Sequence, residues 1–116
     1  MGYESRLYIV NKTNIVNSKR NYAQVIAVFD LCKVYEVSNK MRKYPITDVY
    51  FYSNDTLVTE DFYGEPLTEI PLTDAINIIE EAMKNDNYRR YNPCLQLLKG
   101  FNLSEWKNIV VLHFGY

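Results

Sequence analysis

Few side chains in this 116-residue chain are equipped for chemistry, and their spacing limits what they can do. The single histidine, His113, sits inside the apolar run of residues 108–116 (NIVVLHFGY). Activated-nucleophile chemistry needs a base held against a serine or cysteine, and no Gly-x-Ser-x-Gly turn accompanies this histidine. A lone histidine in a strand reads more simply as a hydrogen-bonded structural residue. Cys32 and Cys94 lie in separate apolar runs; with one histidine they cannot close a zinc cage, and they read as small core residues. Glu60, Asp61 and Glu65 could gather round a hard cation, or could simply be solvated acids. The four glycines are scattered, so neither common Gly-rich phosphate cradle is present. No catalytic residue, metal or cofactor is expected from this inventory.

Two constellations suit binding instead. Arg89 and Arg90 stand between Tyr88 and Tyr91 where a helix should begin. Guanidinium groups and free helix N–H groups both favour phosphate or carboxylate, and a tyrosine can stack on a base. Together with Arg6 and Tyr8 they would make a site for a nucleotide or another anionic small molecule, provided that they meet in space. The simpler reading makes these arginines counterions of a neighbouring acidic helix.

The second constellation comes from charge segregation. Residues 55–86 hold nine acids against one lysine; residues 1–54 hold eight Lys or Arg against four acids, and residues 87–116 hold four against one. A carboxylate array can occupy the basic nucleic-acid groove of another protein, because it presents charge where phosphates would sit. Tyr52, Phe62 and Tyr63 accompany Glu60, Asp61 and Glu65, and aromatic anchors in a charged rim have the composition of an interface. Most acidic helices are merely solvated, so that alternative stands. Direct nucleic-acid binding is disfavoured by the net charge of -1, although Lys40, Arg42 and Lys43 could join Arg89 and Arg90 in one basic patch.

The elements that must position these residues follow from periodicity. Residues 3–10 alternate as a first strand, and residues 11–21 are loop in composition. Residues 22–34 (YAQVIAVFDLCKV) mix helical spacing with strand formers; a long, largely buried strand is favoured. Its edge could pair with a second copy, giving a homodimer. Residues 36–44 read as a basic loop stopped by Pro45. A hairpin spans 46–52 and 56–61 around Ser53-Asn54-Asp55, and residues 62–72 form an irregular crossing segment. Thr73 caps a helix to Lys84 with an apolar face of Ala75, Ile78, Ile79, Ala82 and Met83. A second helix opens with Asn92 as cap and Pro93 in first position, and Gly100 closes it. After a short turn at 104–106, residues 108–116 are apolar on both faces, as befits a strand inside a sheet. The expected class is α+β: one domain over residues 1–116, a mostly antiparallel sheet of about five strands with two helices packed on one face, in the order β-β-β-β-α-α-β.

A hydrophobic fraction of 47% with 15% aromatic residues, 11 of them Tyr, suits a globular chain with surface made for contact. No run reaches the roughly 18 apolar residues of a membrane span, so no membrane partner is expected. Two unpaired cysteines without a leader pattern point to a reducing cytoplasm.

GYESRLYIV (residues 2–10), EDFYGEPLTEIPL (60–72), YRRYNPCLQLLKGF (88–101) and VVLHFGY (110–116) resemble small uncharacterised proteins encoded by phages and prophages of Gram-positive bacteria. The resemblance implies an accessory protein of the bacterial cytoplasm that binds a host or defence factor without catalysis. Capture of an anionic small molecule is the alternative, and an enzyme of unknown chemistry the second alternative.

Overall fold

The computed structural model describes residues 4–12, 23–103 and 108–116. Most of the loop expected at 11–21 and the turn expected at 104–106 lie outside these residues. The described elements are, in order, β1 (Ser5–Asn11), β2 (Gln24–Cys32), α1 (Tyr35–Met41), β3 (Phe51–Ser53), β4 (Thr56–Val58), β5 (Thr68–Pro71), α2 (Leu72–Asn85), α3 (Tyr91–Leu103) and β6 (Ile109–Gly115).

β6 lies inside a four-stranded antiparallel sheet of order β2-β1-β6-β5. Its two-sided apolarity is thereby explained, because both of its faces are covered. One face carries Leu7 and Ile9 of β1, Ile70 of β5 and Ile109 and Val111 of β6 into a core shared with all three helices. The other carries Tyr8, Val10, Leu112 and Phe114 into a second core closed by Val49, Phe51 and Leu67. The β3–β4 hairpin belongs to that second layer. Its turn residues Asn54 and Asp55 both have positive φ (50° and 63°), the backbone a two-residue turn of primed type requires and Asn and Asp tolerate.

The α+β class stands, but the number and order of elements are corrected in four places. The basic loop expected at 36–44 contains α1: Val37 and Met41, four residues apart, are fully buried while Lys40, Arg42 and Lys43 face outward. Seven residues are too few for that spacing to show beside a dense run of charge. The crossing segment at 62–72 contains β5, whose apolar face is sparse and whose Pro71 sits at the strand end where no N–H is needed. The hairpin is shorter than expected and forms its own two-stranded sheet. Three helices, not two, cover the sheet face.

The strand at β2 is real but not largely buried. Among the described residues it pairs only with β1; Leu31 alone of its nine residues is fully covered, and Val28 is 48% exposed. The opposite edge, β5, is covered by the 45–47 segment: Thr47 N–H donates to the Leu67 carbonyl and Glu69 N–H to that of Pro45, both at 2.9 Å.

Helix boundaries also moved. Pro71, not Thr73, precedes α2, because β5 runs into the helix without a loop; Asp74 in the first turn accepts a hydrogen bond from the Tyr44 hydroxyl at 3.1 Å. α3 begins at Tyr91, one turn being set by Tyr91 N–H to the Tyr88 carbonyl, and it continues past Gly100 to Leu103. Gly100 is thus an exposed helical position, where a Cβ would meet nothing within 4 Å. Glycine there costs backbone entropy without any steric need for it. Gly100→Ala should therefore raise unfolding stability by about 0.5–1 kcal/mol, read as a higher urea midpoint at unchanged slope.

Candidate functional site

The segment between β4 and β5 is a short loop fixed by one carboxylate. Asp61 is 8% exposed, and its Oδ1 accepts the N–H groups of Tyr63 (2.8 Å) and Glu65 (3.0 Å). Its Oδ2 accepts the Gly115 N–H of β6 at 3.3 Å. Backbone bonds reinforce the turn: Asp61 N–H to the Glu65 carbonyl, Gly64 N–H to that of Asp61, and Phe62 N–H to that of Gly115. Gly64 supplies the positive φ (75°) that closes it. Asp61 was expected among the surface contacts; it is instead the buried residue that shapes the loop presenting them.

That loop displays two aromatic residues. Phe62 is 76% exposed and Tyr63 50%. The Phe62 ring meets Phe114 and Tyr116 edge to face, at centroid distances of 5.6 and 6.4 Å. Behind it the stack continues from Phe114 to Tyr8 and from Tyr8 to Phe51. Glu60 and Glu65 flank the pair and are exposed, and Tyr52 is half-exposed on β3. Elsewhere in the acidic block Glu69 pairs with the half-buried Lys12, whereas Glu80 with Lys99 and Glu81 with Lys84 form exposed pairs.

The anion-site residues distribute differently. Arg6 donates from Nε to the Asp30 carboxylate at 2.6 Å and lies 4.3 Å from the Tyr116 ring centroid. Burial works against its charge, but the bonds to Asp30 and Tyr8 outweigh it and raise its pKa. Arg90 donates to the Asp30 backbone carbonyl at 2.9 Å, so both arginines reach one residue of β2 while serving as its ties. Tyr8 and Tyr91 are buried, and Tyr88 packs edge to face on Tyr91. Burial, with the charges of Asp86 and Glu36, pushes the Tyr91 hydroxyl up to about 12. Arg89 alone of this set is exposed.

Sequence reasoning missed a cleft of about 410 Å³ on the other side of the Asp61 loop. Arg42 and Lys43 after α1, Asp61, Glu65 and Pro66 of the loop, and Tyr44, Ile46, Thr68 and His113 all line it. The only legible signal was the basic run itself; nothing local showed what it would face. His113 is 3% exposed and shares a 2.9 Å hydrogen bond between Nε2 and Ser5 Oγ. This serine–histidine pair is not a nucleophile for a substrate, because Ser5 is wholly buried. Burial also pushes the Cys94 thiol up to about 12, far from a reactive thiolate. Among the described residues no three His, Cys, Asp or Glu side chains form a metal-holding group, and no helix is long and apolar enough to cross a membrane.

No family model matches this chain, and no curated protein or solved structure matches it either.

Burial pushes the His113 imidazole down to about 4, with Arg42 acting in the same direction and Asp61 opposing. The neutral ring is favoured in the folded state, so the unfolded chain binds more protons between about pH 6.5 and 4. Stability is complete above pH 6.5 and should fall by about 3 kcal/mol as pH drops through that window. His113→Asn should flatten this part of the urea-midpoint profile relative to wild type. Removing the loop's acceptor, by Asp61→Ala, should cost about 2 kcal/mol and speed amide exchange at Tyr63, Glu65 and Gly115, as seen by NMR.

Proposed function

We propose that the protein acts without catalysis, by docking a partner protein onto the 60–65 loop. Phe62 and Tyr63 are the anchors, and Glu60 and Glu65 form an acidic rim. The observation that carries this reading is the coexistence of a 76% exposed Phe62 ring with a backbone held by Asp61. A ring exposed on an ordered loop offers apolar area that a partner can cover, and a loop already ordered loses little entropy on binding. Hot spots are typically aromatic side chains surrounded by polar contacts that exclude water.

The acidic rim suits a partner with a basic surface, of which a nucleic-acid groove is one type. The resemblance to phage and prophage proteins supports a host or defence protein in that role, occupied stoichiometrically in the bacterial cytoplasm. Glu69 is held by Lys12, and Glu80 and Glu81 lie on α2 in exposed ion pairs, so the acids that accompany the aromatic anchors are those of the loop.

Affinity capture from the bacterial host with wild-type and Phe62→Ala protein tests this. The variant keeps the fold, since its ring lies mostly in solvent, and should bind the captured protein at least about 30-fold more weakly, a loss of about 2 kcal/mol. Glu60→Lys with Glu65→Lys should weaken capture further at low salt. Undiminished capture by Phe62→Ala would move the interface elsewhere.

A further inference from the structure

We propose that the cleft between Arg42-Lys43 and the Asp61 loop is a small-molecule site for a nucleoside monophosphate, with the phosphate on the Arg42 and Lys43 side and the base against Ile46, Tyr44 and Pro66. Three observations converge. The first is size and form. About 410 Å³ is within the range of small-ligand pockets, and the walls are already fixed. Thr68 Oγ1 donates to the Met41 carbonyl at 2.8 Å, the Tyr44 hydroxyl is held by Asp74, and the facing loop is tied by Asp61.

The second is charge. Like Lys33 and Arg89, Lys43 is exposed and makes no ion pair among the described residues, and of these three it is the one that lines the cleft. Across the cleft, Asp61 directs its oxygens at three backbone N–H groups, which offset its charge locally. Glu65 is left as the exposed acid on that wall. An anion is thus favoured beside Lys43 and a hydrogen-bond donor beside Glu65, the pairing that a phosphate and an exocyclic amine or ribose hydroxyl supply.

The third is the wall between them. Ile46 is 62% exposed, beside Pro66 and the Tyr44 ring, and a flat base would cover this apolar surface. A simple inorganic anion would leave it in water. These features are independent of Phe62, which lies on the outer side of the loop with Phe114 and Tyr116.

Calorimetry with AMP, GMP, CMP and UMP, and with inorganic phosphate alone, tests the assignment. NMR shift mapping on the same samples locates any binding. The expected result is one-to-one binding of at least one nucleotide, with shifts centred on Tyr44, Ile46 and Thr68. Arg42→Glu with Lys43→Glu, folded by circular dichroism, should bind at least about tenfold more weakly, and Phe62→Ala should bind as wild type. Inorganic phosphate should bind more weakly than that nucleotide. No binding of any nucleotide at about 1 mM, unchanged affinity in the double variant, or phosphate binding as tightly as nucleotide would each overturn the proposal.

Discussion

The pairing of β1 with β6 is the interaction on which the rest of the structure depends. It runs without a break from Ser5 opposite Gly115 to Asn11 opposite Ile109, joining segments about a hundred residues apart. Both cores are built on it, since Leu7, Ile9 and Val111 project to one face and Tyr8, Leu112 and Phe114 to the other. It also sets His113 beside Ser5, and brings the Gly115 N–H to the carboxylate of Asp61. So distant a pairing must meet its loop-closure cost before its contacts form, a cost that neighbouring elements do not carry.

A register shift of one residue would exchange these faces and move Leu7 and Ile9 out of the helix-covered core into the one closed by Phe51 and Leu67, whose shape they do not fill. It would also turn His113 away from Ser5. The polar groups on the helix-side face therefore depend on the same register as the apolar ones. Ser5 and His113 satisfy each other, and Thr68 opposite His113 bonds the Met41 carbonyl. Burying such groups unpaired would cost more than their hydrogen bonds return, so this end of the sheet is specified more narrowly than the Leu and Ile positions.

The Asp61 loop divides two environments. Its outer side shows Phe62 and Tyr63 on a floor of Phe114 and Tyr116, and its inner side contributes Asp61, Glu65 and Pro66 to a polar cleft. One buried carboxylate bonded to three backbone N–H groups holds both surfaces. Such charge-assisted bonds are stronger than neutral ones, and they confer order on a segment that has neither helix nor long strand. The exposed ion pairs on the helices contribute far less, because solvent screens them.

Local chemistry was sufficient for several elements. The alternation of β1, the Asn54-Asp55 turn, the apolar face of α2 and the two-sided apolarity of β6 all depend on neighbours within a few residues, and each was legible from the chain. So was the α+β class. Folding in space decided the rest. α1 and β5 are short elements whose stability comes from burial of Val37, Met41 and Ile70 against distant strands, a long-range contribution that short-range periodicity does not encode. For the same reason Asp61 looked like one more surface acid: only the arrival of Gly115 and the closure of its own turn make it a buried acceptor. Arg42, Lys43 and Ile46 became walls of a cleft only when β5 and β6 carried Thr68 and His113 to them. Residue type determines what a side chain can bond, and tertiary structure determines which partners lie within reach.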